Sequence, residues 1–530
     1  MSQALVLITF LAAVVFLTVV ARRFRIPYPI AFVIGGVALA FSRHLPRPHL
    51  EPDLILLLIL PPLLYSAAWT TDALELRRNI RPISLLAIGL VIFTTAAVAA
   101  FAHYLLGFGW PLAFTLGAIV SPPDAVAAEA IFDEIAIPRR VAAVISGECL
   151  FNDATALVLY RFALAAAVTG AFSLTQASIS FFVVAAGGVA IGIVTAFAVE
   201  VLMRYITRHG YSDPMIASLV FLLSPFVSYV PAEALHFSGV LAAVVAGLVS
   251  SRRSSEFIDS ETRLLGGSVW QLLTFVLNAF AFLLIGLELP EILRELFPHV
   301  RDYALYGLAL SAMVIIVRIL WVFPATWIPR LLSATLRRKD PSPPPGSIFV
   351  LAWSGMRGIV SLAAALALPY SFAGKPFPER GATIFFTCCV VFVTLVLQGL
   401  TLGPIVEWLG VAETSKAARR ESLLRIRALE AGLRRLRDVE DEHRGALEAD
   451  IAGRLMEEYQ QRIDVLRGRA SPDGSSDFAR AGTIDRRLQR EALDAERRTI
   501  TAMRNEGEIP DNIFRSIEYD LDLAALRLAG

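Results

Sequence analysis

Long apolar segments recur throughout residues 1–412, and they constrain the fold of this chain more than any other feature. A helix needs about 20 mostly apolar residues to cross the hydrocarbon core of a bilayer. By this criterion the sequence predicts about thirteen spans, at residues 3–21, 27–42, 53–70, 82–105, 110–131, 140–168, 176–203, 213–230, 237–250, 267–289, 302–325, 346–372 and 380–408. The second and ninth are short, so twelve or fourteen spans are alternatives. The fold class that follows is an all-α membrane protein.

Composition divides the chain into two parts. Hydrophobic residues make up 56% of the 530 residues and charged residues only 18%, which excludes an ordinary soluble protein throughout. The last 118 residues nevertheless hold 46 charged side chains. We therefore predict a transmembrane domain over residues 1–412 and a charged helical cytoplasmic tail over residues 413–530, with a turn-rich segment after about residue 470 and two shorter helices beyond it. The net charge of +1 gives no reason to expect a nucleic-acid partner.

The positions of basic residues predict the orientation in the membrane. The N-terminal apolar run has no basic segment before it, so we interpret it as a first span and not as a secretory signal. With thirteen spans, the loops on one side carry about 17 lysines and arginines, whereas those on the other carry about 6. Because basic loops stay cytoplasmic, the N-terminus is predicted outside and the tail inside. Arginines greatly outnumber the three lysines, a composition that suggests a bacterial source and hence the inner membrane.

Few charged residues lie within the predicted spans. The arginines and carboxylates at mid-membrane depth or at its edge are Arg161, Arg318, Arg357, Asp124, Glu148 and Asp153. Charges in hydrocarbon cost several kcal/mol each, so they usually face a bundle interior and mark an ion or substrate pathway. An ion pair that only locks two helices together could explain one such pair, but not the whole set.

Span five contains the sequence SPPD in its middle. Pro122 and Pro123 both lack an amide donor and clash with the preceding turn, which should free the carbonyls near Ala118 and Ile119 and break the helix. Broken helices of this kind form ion sites in transporters. Asp124 follows the break and is expected to open a second half-helix, whose positive dipole end favours a carboxylate.

Span six contains two acids in the sequence GECLFND. Glu148 and Asn152 are four residues apart and share one helix face, while Asp153 shares another face with Cys149. The span therefore directs its acids in two directions. One acid is available to bind a cation and the other to pair with an arginine.

Span twelve contains a second predicted break, in the sequence SGMRG. Gly355 and Gly358 flank Arg357, which places a cation at the centre of an unwound stretch. Spans five and twelve lie seven apart, so they run in opposite directions, as inverted repeats require. Two crossing broken helices would bring like dipole ends together, and Asp124 and Arg357 carry the charges that offset those ends.

The three motifs SPPDAV, GECLFND and SGMRG, in this order, resemble those of the cation/proton antiporter family, which includes bacterial and animal sodium/proton exchangers. The resemblance covers all predicted spans. It implies that Asn152 and Asp153 lie at the ion site, that Asp153 alternates between a proton and a cation, and that Asp124 is the acid after the broken stretch. Glu148 would pair with Arg318, and Arg357 would be the arginine of the second broken helix.

The candidate ion site is larger than the acids alone. Its predicted members are Asp153, Asp124, Asn152, Cys149, Pro123 and Ser66, with Asp153 and Asp124 as the Na⁺ ligands. Two members depart from the family pattern. Ser66 stands where many relatives have a glutamate that reaches the ion, and Cys149 stands where many have a serine. A thiol is a poor ligand for a hard cation such as Na⁺.

These observations predict a secondary antiporter that exchanges one monovalent cation, Na⁺ in the first instance, for one H⁺ by competition at one buried aspartate. Exchange of K⁺ or another cation for H⁺ is the closest alternative. A channel is less well supported, because channels line their pores with repeated rings of carbonyls or charges. An intramembrane enzyme lacks a histidine at mid-membrane depth. We expect no cofactor, and a homodimer in the lipid bilayer.

Overall fold

The structure is a computed structural model, and it describes most of the chain. The described residues are 3–24, 28–41, 52–124, 137–169, 174–209, 211, 213–254, 260–340, 342–372, 375–411, 416–442, 446–470, 476–506, 517–518 and 520–525. They form two compact units, residues 1–412 and residues 413–530, which are treated separately below.

The first unit is almost entirely helical. Its helices are α1 (Gln3–Phe24), α2 (Tyr28–Ala40), α3 (Pro52–Thr70), α4 (Ala73–Arg78), α5 (Ile80–Ser84), α6 (Val91–Leu106), α7 (Trp110–Val120), α8 (Arg139–Thr169), α9 (Leu174–Arg208), α10 (Pro214–Ala234), α11 (Gly239–Ser254), α12 (Ser260–Glu295), α13 (Val300–Leu332), α14 (Ala334–Lys339), α15 (Pro345–Trp353), α16 (Ile359–Leu366), α17 (Arg380–Val393) and α18 (Gly399–Trp408). Single π-helical stretches, Leu85–Leu90 and Thr394–Gln398, join α5 to α6 and α17 to α18.

The described helices have the length and composition of membrane spans. Seven are long and apolar enough to cross a bilayer, and three shorter apolar helices accompany them. Large apolar side chains are exposed along the outer helices, such as Phe16 on α1 and Phe182 on α9, at 66% and 71% of their surface. Because a soluble protein buries such residues, this surface suits contact with lipid. A membrane-spanning, essentially all-helical fold is thereby confirmed, while the count of thirteen spans stays a prediction.

The prediction for span twelve is wrong at its C-terminal end. The prediction places the end of this span at about residue 372, but α16 ends at Leu366. Pro369 follows closely and cannot donate to the helical hydrogen-bond ladder. The chain instead forms two paired strands, β1 (Ser371–Phe372) and β2 (Lys375–Pro376), which run antiparallel before α17.

One group of helices packs through a very close backbone approach. Helix α2 lies against α12 where Gly36 meets Gly286. A Cβ on Gly36 would overlap the carbonyl oxygen of Leu283, and it would lie 2.8 Å from the Cα of Gly286. Small residues let membrane helices approach in this way, because packing between helices must replace packing against lipid. Helices α3, α9, α10 and α11 belong to the same group. Of these, α3 and α10 contact α12, and α11 contacts α3, α9 and α10.

A second group of helices surrounds the two predicted breaks. Helix α7 packs between α6 and α8, and α13 packs against α15, α17 and α6. A Cβ on Gly117 of α7 would overlap the carbonyl oxygen of Thr95 on α6, so these two helices are also in close contact. Helices α3 and α12 contact α16, which brings the first group against the second. The buried charged residues described next lie in the second group.

In the second unit residues 517–518 and 520–525 are helical, and three long helices precede them. They are α19 (Lys416–Glu442), α20 (Ala446–Ala470) and α21 (Ser476–Asn505). Helices α19 and α20 pack together, and α20 also contacts α21. The predicted turn-rich segment extends too far, because residues 476–482 already belong to α21, which is 30 residues long. Its strongly amphipathic sequence supports a long helix with one packed face.

Candidate functional site

The interruptions of α7 and of the α15–α16 pair contact each other. Helix α7 ends at Val120 and residues 121–124 are not helical, while α15 ends at Trp353 and residues 354–358 are not helical. The backbone N–H of Asp124 donates to the carbonyl oxygen of Met356, at 2.7 Å. In an unbroken helix that N–H would bond the carbonyl of Val120. The second interruption therefore supplies the N–H of Asp124 with the acceptor that a continuous α7 would have provided.

Arg357 lies at the carbonyl end of α7 and is fully buried. Its guanidinium donates to the carbonyl oxygens of Val120 and Ser121, at 3.0 and 3.2 Å, and to that of Gly355. Its backbone N–H donates to the side-chain oxygen of Thr394, at 3.0 Å. A cation is stabilised at the negative end of a helix dipole, where carbonyl groups lack helical partners. The carbonyls used are two residues beyond the predicted pair.

Asp124 occupies the corresponding position at the start of α16. Its Oδ2 accepts a hydrogen bond from the backbone N–H of Ile359, at 3.2 Å, in the first turn of that helix. A carboxylate is favoured at this positive end. A Cβ on Gly358 would overlap Asp124 Oδ2, so the close approach requires glycine there. Arg357 and Asp124 thus each cap a helix of the other interrupted segment. The half-helix predicted to follow Asp124 lies outside the described residues.

Glu148 of α8 and Arg318 of α13 form a fully buried ion pair. Arg318 Nη1 lies 2.5 Å from Glu148 Oε1, and Nη2 lies 2.8 Å from Oε2, so both carboxylate oxygens accept a hydrogen bond. The same guanidinium also donates to the carbonyl oxygens of Ala352 and Leu351, at 3.2 and 3.1 Å. Arg318 therefore holds the end of α15 as well as Glu148.

Asn152 and Asp153 extend the site from the next turn of α8. The side-chain nitrogen of Asn152 donates to the carbonyl oxygen of Pro123, at 3.0 Å, which ties α8 to the interruption of α7. The buried Oδ1 of Asn152 has no hydrogen-bond partner within the described part of the chain. Asp153 is only 6% exposed, yet its carboxylate makes no hydrogen bond or ion pair to a described residue. Asp124 is close enough to act on it electrostatically.

Cys149 and Ser66 border this arrangement in different ways. Cys149 is buried on α8, one turn before Asp153. Ser66 is partly buried on α3, a helix that packs against both α8 and α16. The hydrogen bond that Ser66 makes is local, from the hydroxyl of Thr70 to its backbone carbonyl, at 3.2 Å. The structure therefore brings together every predicted site residue except Ser66, whose helix is adjacent.

Two contributions were not predicted from the sequence. Thr394 binds the backbone of Arg357, and nothing in a lone threonine indicates such a role. Glu233 pairs with Arg161 at 2.6 Å and also accepts the backbone N–H of Gly239, at 2.9 Å. The sequence placed Glu233 in a loop, because span eight was predicted to end at residue 230. This pair is partly exposed, at 45% for Arg161 and 27% for Glu233.

Comparisons with known proteins agree with these features. The transmembrane sodium/hydrogen exchanger family matches residues 7–408. An uncharacterized Na⁺/H⁺ exchanger of Mycobacterium tuberculosis is 32% identical over 528 residues, which cover 99% of this chain and 96% of the relative. A sodium, potassium, lithium and rubidium/H⁺ antiporter of Bacillus subtilis is 31% identical over 95% of this chain and 75% of its own length. The fold is similar to that of the sodium/proton antiporter MjNhaP1 of Methanocaldococcus jannaschii, with a TM-score of 0.61 and 20% identity over 77% of this chain and 99% of that one.

Proposed function

Because the chain belongs to the sodium/hydrogen exchanger family of monovalent cation/proton antiporters, we propose that it exchanges one Na⁺ for one H⁺ across the plasma membrane of a bacterium. The observation that carries this proposal is the Asp153 carboxylate, which is buried and has no partner among the described residues. A buried carboxylate is too costly to leave uncompensated. A bound proton or a bound cation would each provide the compensation.

The balance of buried charge supports a stoichiometry of one to one. Glu148 is neutralised by Arg318 in a bidentate pair. Arg357 and Asp124 are both used at helix ends of the interrupted segments. The remaining charge is that of Asp153, so one proton or one monovalent cation makes the site neutral. An empty carrier would keep a buried negative charge and cross between its two states least readily, which couples the two fluxes.

The oxygen atoms near Asp153 suit a small hard cation. Carboxylate and amide oxygens are preferred by Na⁺ over sulfur. Asp124 and Asp153 would provide two such oxygens, and the Oδ1 of Asn152 is buried without a described partner. Alternating access would then expose this site to each side in turn, with α7 and the α15–α16 pair acting as the inverted broken helices of the two repeats. The N-terminus would lie outside, the tail in the cytoplasm, and two copies would form a dimer.

K⁺/H⁺ exchange is the second candidate, and two residues favour it. Ser66 and Cys149 remove oxygen ligands that would favour the smaller ion. The Bacillus subtilis relative is also named for transport of potassium and rubidium as well as sodium and lithium. The choice between cations therefore depends on the charge and hardness of the ligands that reach the ion.

Proton flux in vesicles tests the proposed function. Purified protein is reconstituted with a pH-sensitive dye inside, and Na⁺, Li⁺, K⁺ or choline is added outside. We expect internal alkalinisation with Na⁺ and Li⁺, because an inward cation would drive protons out, and none with choline. Equal signals for choline and Na⁺ would contradict exchange, and a larger signal for K⁺ than for Na⁺ would establish the second candidate.

Replacing Cys149 by Ser should strengthen the apparent affinity for Na⁺. A hydroxyl oxygen is a better ligand than a thiol for a hard cation, and one added contact of about 1 kcal/mol corresponds to about a fivefold lower half-saturating concentration. The measurement is the Na⁺ concentration that gives half-maximal proton efflux at fixed pH. Cys388→Ser, at a buried cysteine of α17, is the matched control and should leave it unchanged. An unaltered value for Cys149→Ser would show that residue 149 does not contact the ion.

Replacing Gly358 by Ala should reduce the rate of cation/proton exchange, because it would displace the Asp124 carboxylate. The new methyl group would overlap Asp124 Oδ2 and force the carboxylate away from the N–H of Ile359. A displacement of this size typically costs about 100-fold in a rate that depends on exact positioning. Gly267→Ala on α12 is the control, because nothing lies within 4 Å of the added Cβ. Wild-type exchange by the Gly358 variant would show that the Asp124 contact is dispensable.

A further inference from the structure

A cavity of about 320 Å³ lies among helix ends on one side of the crossing of the two interruptions, and its inner end reaches Leu351, whose carbonyl oxygen binds Arg318. Its wall is contributed by α5, the N-terminal ends of α8 and α15, the C-terminal end of α13 and the segment that follows α14. According to the predicted orientation these ends are all cytoplasmic. The cavity therefore opens where the protein meets the inner leaflet of the membrane and its headgroups.

The charged residues of the cavity carry an excess of positive charge. Asp340 accepts hydrogen bonds from Arg140 and Arg330, at 2.6 and 2.7 Å, and Arg330 also donates to the Asp340 carbonyl oxygen, at 3.0 Å. Arg81 lines the same cavity, and its side chain makes no ion pair to a described residue. Three arginines against one aspartate leave two positive charges. Arg330 is only 7% exposed and is engaged by Asp340 and by the carbonyl oxygen of Thr326, so the excess charge lies on the more exposed Arg81 and Arg140.

The remaining wall is apolar. Leu85 and Val144 line the cavity one helical turn beyond Arg81 and Arg140, and Ile348 and Leu351 line it from α15. The N-terminus of α15 lies here too, and its preceding residue, Pro344, makes no side-chain cap. The dipole of that helix adds to the positive potential. The cavity thus combines arginines that suit a phosphate group with an apolar wall that suits glycerol and acyl carbons.

We propose that this cavity binds the headgroup of an anionic phospholipid of the cytoplasmic leaflet, with Arg81 and Arg140 at the phosphate and Arg330 holding Asp340 beside them. A free phosphate would use the arginines but leave the apolar wall without a partner. A phospholipid uses both, and basic residues at the cytoplasmic end of spanning helices attract anionic lipids. The occupied site would join the start of α8, which carries Glu148 and Asp153, to the end of α13, which carries Arg318. The proposal of a lipid site does not depend on which cation the protein exchanges.

Thermal unfolding of the full-length protein in neutral detergent tests this proposal. Dioleoyl phosphatidylglycerol is titrated against dioleoyl phosphatidylcholine, which has the same acyl chains but no net charge, and against inorganic phosphate. We expect phosphatidylglycerol alone to raise the midpoint of unfolding. Arg81→Ala should raise the half-saturating phosphatidylglycerol concentration about tenfold, because a charge-assisted contact is lost. Native mass spectrometry should show one fewer phosphatidylglycerol retained per protomer.

Arg77→Ala is the matched control, because Arg77 is an exposed arginine on neighbouring α4 that does not line the cavity. It should behave as the wild type does. Equal weakening by Arg77→Ala and Arg81→Ala would overturn the site in favour of general surface attraction. An equal shift with phosphatidylcholine, or the full shift with inorganic phosphate, would overturn the anionic lipid as the occupant. Because Arg81 makes no ion pair to a described residue, its loss should leave the lipid-free protein as stable as the wild type.

Discussion

Asp153→Asn is expected to reduce cation-driven proton efflux to the level of empty vesicles. The substitution keeps the size of the side chain but removes its charge, so two buried arginines would face two carboxylates and the site would be neutral with nothing bound. Neither a proton nor a cation would then be required for compensation. Dye-based proton efflux in reconstituted vesicles provides the measurement, with Na⁺ added over a wide concentration range.

Asp302→Asn is a suitable control for this change, because Asp302 is an exposed residue at the start of α13 with 65% of its side chain accessible. It should exchange as the wild type does. The Asp153→Asn protein should also remain folded, since Asp153 makes no hydrogen bond to a described residue that the substitution could break. Exchange near the wild-type rate in a folded Asp153→Asn protein would refute competition at this carboxylate.

Breaking the pair of Glu148 and Arg318 should produce the largest loss of stability. Glu148→Gln or Arg318→Met leaves one charge buried without its partner, which typically costs about 3 to 5 kcal/mol. Removing both charges together avoids that penalty, so the double variant should unfold at a higher temperature than either single variant. The recovery should be incomplete, because Arg318 also holds the carbonyls of Leu351 and Ala352.

The exposed pair of Glu458 and Arg462 on α20 serves as the control for this comparison. Both side chains are more than half exposed, at 52% and 57%, and they are four residues apart on one helix. Such pairs contribute about 0 to 1 kcal/mol, so the corresponding single and double variants should differ little. If the losses at Glu148 and Arg318 were additive in the same assay, the two residues would not depend on each other.

The sequence could predict where the helices break, because the causes are local. Pro122 and Pro123 lack the two consecutive N–H donors that would be needed to continue α7 beyond Val120. Gly355 and Gly358 allow the chain to unwind around Arg357, and α15 does end just before Gly355. The partners of the freed groups were less predictable. Proline chemistry points to the carbonyls of residues 118 and 119, whereas the arginine binds those of residues 120 and 121, since its reach depends on how the segments cross.

Contacts between distant parts of the chain were predictable only through the family resemblance. Nothing in the spacing of Glu148 and Arg318 indicates that they pair, because 170 residues separate them. Thr394 had no recognisable signal at all. The strand that follows α16 was missed because residues 367–372, ALPYSF, are mostly apolar and continue the run of the helix, and apolarity alone does not distinguish a helix from an extended segment. The positions of the helix breaks could therefore be predicted from local residues, whereas the contacts between residues distant in the sequence could not.

The contact between Gly36 and Gly286 has a consequence for how the protein is made. Helix α2 has 13 residues and is about 20 Å long, which is shorter than the hydrocarbon core of about 30 Å. Its groove on α12 is encoded 250 residues later. At about 5 to 20 residues per second, a ribosome needs about 12 to 50 seconds to reach it. The short helix must wait that long after its own synthesis, so the N-terminal part of the membrane domain can complete its packing only after more than half of the chain has been translated.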